Sequence, residues 1–155
     1  MDTKDLHALD DAIHSFRIAT QRPSYHRWIL DGLGFDGGIA SVRVLRAVAR
    51  LTTDDGGPSI GRVAVELGVK HSTASRLIDN TVKGSLLVRS ECGDDKRHTR
   101  LSLSAHGDAV LEQATARRRQ VIAEATVDWD DHDVTKLAEL LHRLSFSIDE
   151  RFVQS

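Results

Sequence analysis

Ile60-Gly61-Arg62-Val63-Ala64-Val65-Glu66-Leu67-Gly68-Val69-Lys70-His71-Ser72-Thr73-Ala74-Ser75-Arg76-Leu77-Ile78-Asp79 is the stretch on which the fold turns. Ile60, Val63, Ala64 and Leu67 recur every three or four residues, the inward face of a short helix. Ser59 offers its hydroxyl as the N-cap, and Gly68 stands where a left-handed residue closes a helix. After only a few residues the spacing resumes at Ala74, Leu77 and Ile78, with Thr81 or Val82 completing the stripe. The other side carries Ser72, Thr73, Ser75, Arg76, Asp79 and Lys83. Two short helices, a tight turn between them and a small-polar, cationic face on the second make the helix-turn-helix pattern. Small hydroxyl residues at the start of such a helix allow close approach to a major groove, where an Arg one turn on reaches a guanine edge or a phosphate.

Downstream, Leu86–Glu91 is strand-like, Cys92-Gly93-Asp94-Asp95-Lys96 is a turn, and residues 98–103 alternate. Thr99, Leu101 and Leu103 share one face, and His98, Arg100 and Ser102 the other. A hairpin directly after a helix-turn-helix is a wing, and Asp95, Lys96 and Arg97 at its tip suit phosphate or minor-groove contact. Ser104 caps a helix predicted over residues 105–127, whose apolar stripe Arg117-Arg118-Arg119 interrupts as a solvated face. Asp130, with Asp133 in the first turn, caps a last helix carrying Val134, Leu137, Ala138, Leu141, Leu144, Ile148 and Phe152 on one side. Upstream, Leu6, Leu9, Ile13 and Phe16 mark a helix over residues 4–20, and Pro23 interrupts before the aromatic-containing stretch Tyr25–Leu30. The Gly-rich segment Asp31–Gly38 is a loop, a helix from Ile39 to Leu51 follows, and Thr52–Pro58 is a turn cluster. The fold class is mainly α with a small β-hairpin wing (α+β).

The whole chain of 155 residues has a net charge of −2, which taken alone argues against a nucleic-acid partner. Resolved by segment, residues 61–100 hold 8 Lys+Arg against 5 Asp+Glu, whereas residues 101–155 hold 6 against 10. A local positive field of this kind attracts phosphates while the acidic remainder preserves solubility. No run of about eighteen apolar residues is present, which excludes a membrane-spanning helix, and the acidic start lacks the pattern of a signal peptide. A cytoplasmic location is expected. One cysteine, Cys92, permits no intrachain disulfide, and its carboxylate neighbours disfavour the thiolate. None of the eight histidines forms the i, i+4 pair of a helical zinc site. No phosphate loop, nucleophile elbow or Cys-His pair is present, so neither catalysis, a metal nor a cofactor is expected.

The order of these elements resembles the MarR family of bacterial transcriptional regulators over about residues 4–152. The resemblance is carried by Ser41–Arg46, Ile60–Val69, Ser72–Asp79 and most specifically by Asp94–Gly107, similar to the family's Asp-x-Arg wing and the Leu-Ser/Thr-x-x-Gly start of the next helix. It implies a homodimer in which N- and C-terminal helices interlock, with residues 1–35 and 105–155 as the helical dimerisation region and 36–104 as the winged helix-turn-helix. It implies a double-stranded DNA partner, a pseudo-palindromic operator, and release on binding a small aromatic effector or on cysteine oxidation. Ser72, Thr73 and Arg76 then belong to the recognition helix, Arg97 to the wing tip and Asp95 to its orientation. Three departures stand out. Lys70 replaces the usual Ser or Thr cap of the recognition helix, so that Lys70 and His71 are expected to meet phosphates instead. Thr81 replaces an apolar residue, and Ser85 the glycine before the first strand, which predicts an irregular connection. No cysteine lies in the first helix, against a peroxide sensor of that type.

The DNA-contact set is therefore Lys70, His71, Ser72, Thr73, Ser75, Arg76, Lys83, Asp95, Lys96 and Arg97. Phe16, Tyr25 and Trp28 are the candidates for lining an effector pocket, with core filling as the competing role. The rival readings are a winged-helix protein-interaction module and a metal or redox sensor.

Overall fold

In the computed structural model, which describes residues 2–91 and 99–152, the periodic segments form helices α1 (Thr3–Gln21), α2 (Pro23–Leu30), α3 (Ile39–Leu51), α4 (Ile60–Leu67) and α5 (His71–Lys83). The hairpin β1 (Leu87–Glu91) and β2 (Thr99–Leu103) follows, then α6 (Ala105–Ala125) and α7 (Asp131–Phe152). The mainly helical class with one small antiparallel hairpin holds. Pro23 starts α2 at the position where its missing N–H has no intrahelical partner to lose. The chain divides into two compact units, residues 1–118 and 119–155.

In the first unit the core is built around α3. Val44, Leu45 and Val48 are wholly buried against Val63 of α4, Ala74 and Ile78 of α5, Leu86, and Leu101 of β2. Val110 and Ala114 of α6 belong to the same cluster. Each buried Val, Leu or Ile side chain contributes about 1.5–3 kcal/mol, so this cluster holds α4 and α5 against α3. Thr81, rather than Val82, completes the inward stripe of α5. Its Oγ1 donates to the Leu77 carbonyl at 2.8 Å and lies 3.4 Å from Ser41 Oγ on α3. A polar residue is accepted in that apolar position because its hydroxyl is satisfied.

The turns follow from their caps. Ser59 Oγ accepts from Arg62 N–H at 3.4 Å. At the other end of α4, Val69 N–H reaches the Ala64 carbonyl and Gly68 N–H the Val65 carbonyl, both at 3.0 Å, with Gly68 at φ +65°. This paired closure is a Schellman motif. The end of α5 repeats it: Leu86 N–H bonds Thr81 O at 3.1 Å and Ser85 N–H bonds Val82 O at 2.9 Å, with Ser85 at φ +58°. The predicted irregularity is thus a left-handed seat occupied by serine. Because Leu86 N–H closes the helix, β1 begins at Leu87, one residue later than the apolar run suggested.

The hairpin pairs Leu87 with Leu103, Arg89 with Leu101 and Glu91 with Thr99. A third segment supports it from behind: Leu101 N–H bonds Pro58 O and Arg100 Nη1 bonds Gly57 O, both at 3.0 Å. A Cβ at Gly57 would collide with the Leu101 carbonyl. Ser104 Oγ accepts from Gly107 N–H at 2.9 Å, confirming the cap of α6, and donates to Ser85 O at 2.7 Å. Gly107 is required because any Cβ there would meet the Leu86 carbonyl. Instead of a solvated face, Arg117 is a half-buried strut: Nη1 donates to Trp28 O at 3.1 Å and the guanidinium lies 5.9 Å from the Trp28 ring. Helix α6 ends at Ala125, two residues before the predicted limit.

In the second unit Asp130 Oδ1 accepts from His132 N–H at 2.7 Å, the expected cap of α7. No residue of α7 is buried, and Leu137, Leu141, Ile148 and Phe152 are all exposed. Helix α1 likewise buries none of its residues; Leu9 is 47% and Phe16 65% exposed. Among the described residues no helix is long and apolar enough to cross a membrane.

Candidate nucleic-acid interface

Helix α5 presents the candidate residues according to its 3.6-residue period. Ala74, Ile78 and Thr81 turn into the core, which forces Ser72, Arg76 and Lys83 to the opposite side. Lys70, His71, Ser72, Thr73, Arg76 and Lys83 are exposed, while Ser75 is half-buried on the flank. Asn80, one turn after Arg76, shares the exposed face; the sequence reading passed over it, although the i, i+4 spacing from Arg76 was the available signal.

Lys70 takes an extended N-cap conformation (φ −64°, ψ 149°) and supplies no side-chain cap. The first N–H groups of α5 therefore point outward unsatisfied by a side chain, beside an ammonium group, an arrangement favourable to an anion. No other described residue forms an ion pair with Lys70, Arg76 or Lys83. The one carboxylate of α5 is neutralised differently. Asp79 Oδ1 accepts from Arg89 Nη2 of β1 at 2.6 Å, so the acid is engaged toward the hairpin. Both partners are partly exposed, which limits the pair to about 1 kcal/mol or less; its larger effect is on where charge is displayed. The Arg89 partner was not anticipated, because its pairing depends on the hairpin standing beside α5.

Asp95, Lys96 and Arg97, together with Cys92 and His98, lie outside the described residues. The effector candidates are dispersed. Tyr25 packs partly against the core, Trp28 is 38% exposed under Arg117, and Phe16 stands out from α1. None of the three lines the two grooves described next, which lie among the described residues of the first unit. One, of about 630 Å³, lies along α5 between Ser41, Leu77, Asn80, Lys83 and His106. The other, of about 720 Å³, is bounded by His26, Leu30, Asp31, Phe35 and Ile39. Among the described residues no group of three His, Cys, Asp or Glu side chains is placed to hold a metal ion.

A helix-turn-helix braced on a β-hairpin, with a cationic second helix facing outward, defines the winged helix-turn-helix class. Over residues 33–98 the chain matches the model of the MarR family. Among solved structures it is similar to a MarR family protein from Bacillus stearothermophilus, with 16% identity, 96% of this chain and 98% of that one covered, and a TM-score of 0.77. It is also similar to the transcriptional regulator BldR from Sulfolobus solfataricus (17% identity, 96% and 100% covered, TM-score 0.72). A third is an E. coli MarR mutant complexed with operator DNA (20% identity, 93% and 99% covered, TM-score 0.67). No curated protein matches the sequence. These likenesses span nearly the full length of both chains.

Proposed function

We propose that this protein is a homodimeric, sequence-specific DNA-binding transcriptional regulator, acting as a repressor released by a small-molecule effector. The observation that carries the reading is the outward face of α5: an uncapped N-terminus, exposed Ser72 and Thr73, and the cations Lys70, Arg76 and Lys83 without ion-pair partners among the described residues. In this reading Lys70, His71, Lys83 and Lys96 attract phosphates, while Ser72, Thr73, Ser75 and Arg76 face base edges. Arg97, oriented by Asp95, enters the minor groove from the wing. The operator complex of the E. coli relative supports DNA as the partner.

Residues 36–104 then form the DNA-binding domain, and residues 1–35 with 105–155 the dimerisation region. The exposed apolar stripes of α1 and α7 support a second copy as their cover, because long apolar rows left in water are rare on monomeric proteins. Two-fold symmetry places half-sites about 10 base pairs apart. An effector acts by favouring a spacing of recognition helices that no longer fits the groove.

A mobility-shift titration against the DNA upstream of its own coding region tests the proposal. Wild type is expected to bind that DNA in preference to unrelated duplex, and Arg97→Ala to bind more weakly. Equal, weak binding of both proteins to both DNAs at low and high salt would leave the protein-interaction reading instead.

A further inference from the structure

Helix α3 serves the core with one face, and every charged residue on its other face is an arginine. Val42, Val44, Leu45, Ala47 and Val48 are buried, so the helical period leaves Arg43, Arg46 and Arg50 outside, all three exposed. Separations of three and four residues put them on one stripe about 10 Å long, from the rise of about 1.5 Å per residue. Among the described residues a single carboxylate answers them: Glu66 at the end of α4 lies 3.4 Å from Arg50 Nε. Arg43 and Arg46 have no ion-pair partner among the described residues. Between this stripe and the end of α4 runs a groove of about 290 Å³ whose lining includes Arg43, Arg46, Ala47 and Leu67.

The position of the stripe matters as much as its charge. Arg43 also borders a small crevice with Leu67, Val69 and Leu77. Leu67 and Val69 belong to the turn that leads directly into Lys70 and His71. The cationic row therefore begins at the turn before α5 and continues from the proposed recognition surface along α3. Guanidinium groups bind phosphate oxygens through paired N–H donors and remain charged at all working pH values. A linear row of them, under-compensated and set in a groove, suits a linear array of phosphates.

We propose that the α3 row of Arg43, Arg46 and Arg50 is a second phosphate-binding track, which engages the DNA backbone beyond the bases faced by α5. The proposal rests on the DNA-binding reading above and adds to it a longer footprint. Such contacts are independent of sequence: they strengthen binding to all duplexes and steepen its dependence on salt.

The test is fluorescence anisotropy of the full-length protein with a labelled 40-base-pair duplex of arbitrary sequence, titrated across a range of salt concentrations. The Arg43→Gln/Arg46→Gln variant is expected to lower the slope of log Kobs against log[salt] by about 3.6 for the homodimer, from about 0.9 per lost phosphate contact and two contacts in each protomer. Arg43→Lys/Arg46→Lys should restore most of the slope. Glu66→Gln should tighten binding by freeing Arg50. Circular dichroism establishes that the variants retain their helices, and the lysine pair separates lost charge from lost packing. Wild type that fails to bind any duplex overturns both readings. Wild type that binds with a slope unchanged in Arg43→Gln/Arg46→Gln overturns the track alone and leaves α5 as the whole interface; the row would then be free to meet an acidic protein segment.

Discussion

Ser85 holds a left-handed conformation that costs an L-residue about 1–2 kcal/mol, yet the Schellman turn at the end of α5 requires it. The serine side chain itself is not what the fold uses there, since Ser104 Oγ bonds the Ser85 carbonyl. Ser85→Gly should therefore stabilise the protein by about 0.5–1 kcal/mol, after allowance for the greater freedom of glycine in the unfolded chain. Urea denaturation gives the value, and unchanged or reduced stability would contradict it. This irregular seat was legible in the sequence, because Ser85 stood where a glycine was expected. The role of Arg117 was not. Three consecutive arginines read as a wet helix face, and only the fold brings Trp28 under one of them, where the guanidinium covers the ring and reaches its carbonyl. Nor did spacing decide between Thr81 and Val82, which flank the same stripe; the Ser41 hydroxyl across the helix pair accompanies the threonine into the core.

Helix α5 combines two demands at its N-terminus. A Ser or Asp at position 70 would satisfy one of the unpaired N–H groups, whereas Lys70 leaves them open and adds a positive charge. On the proposed DNA-binding reading, stability is exchanged there for anion affinity. Lys70→Ser is expected to raise stability by about 0.5–1 kcal/mol in thermal or chemical unfolding. The same variant should weaken duplex binding and reduce its salt slope by about 1.8, the signature of one lost phosphate contact in each protomer of the dimer. If stability rises while DNA binding keeps its slope, Lys70 is a poor cap and nothing more. Most elements were readable at this scale because caps and periodicity agree: Ser59, Gly68, Ser104 and Asp130 each bound a helix as predicted. The pairing of Asp79 with Arg89 was hidden, since it arises between α5 and the hairpin rather than along either.

Over the whole molecule, the net charge of −2 conceals a division of labour between the cationic segment 61–100 and its acidic flanks. The apolar faces of α1 and α7 present a related lesson: a stripe that faces a second chain has the same period as one that faces the protein's own core. The sequence revealed the stripes, and their exposure in the single chain is what points to a partner copy. Leu141→Asp, placed in the α7 stripe, should shift the protein from dimer to monomer in sedimentation and abolish tight binding to a two-half-site duplex. A variant that remains dimeric would move the interface elsewhere. The central claim is that α5 reads DNA sequence, and it is tested most directly by competition between the upstream duplex and a scrambled one, measured for wild type and Arg76→Ala. The account predicts that wild type favours the upstream duplex and that Arg76→Ala loses about 1–3 kcal/mol of that discrimination, roughly 5- to 150-fold. Undiminished discrimination in Arg76→Ala would contradict it.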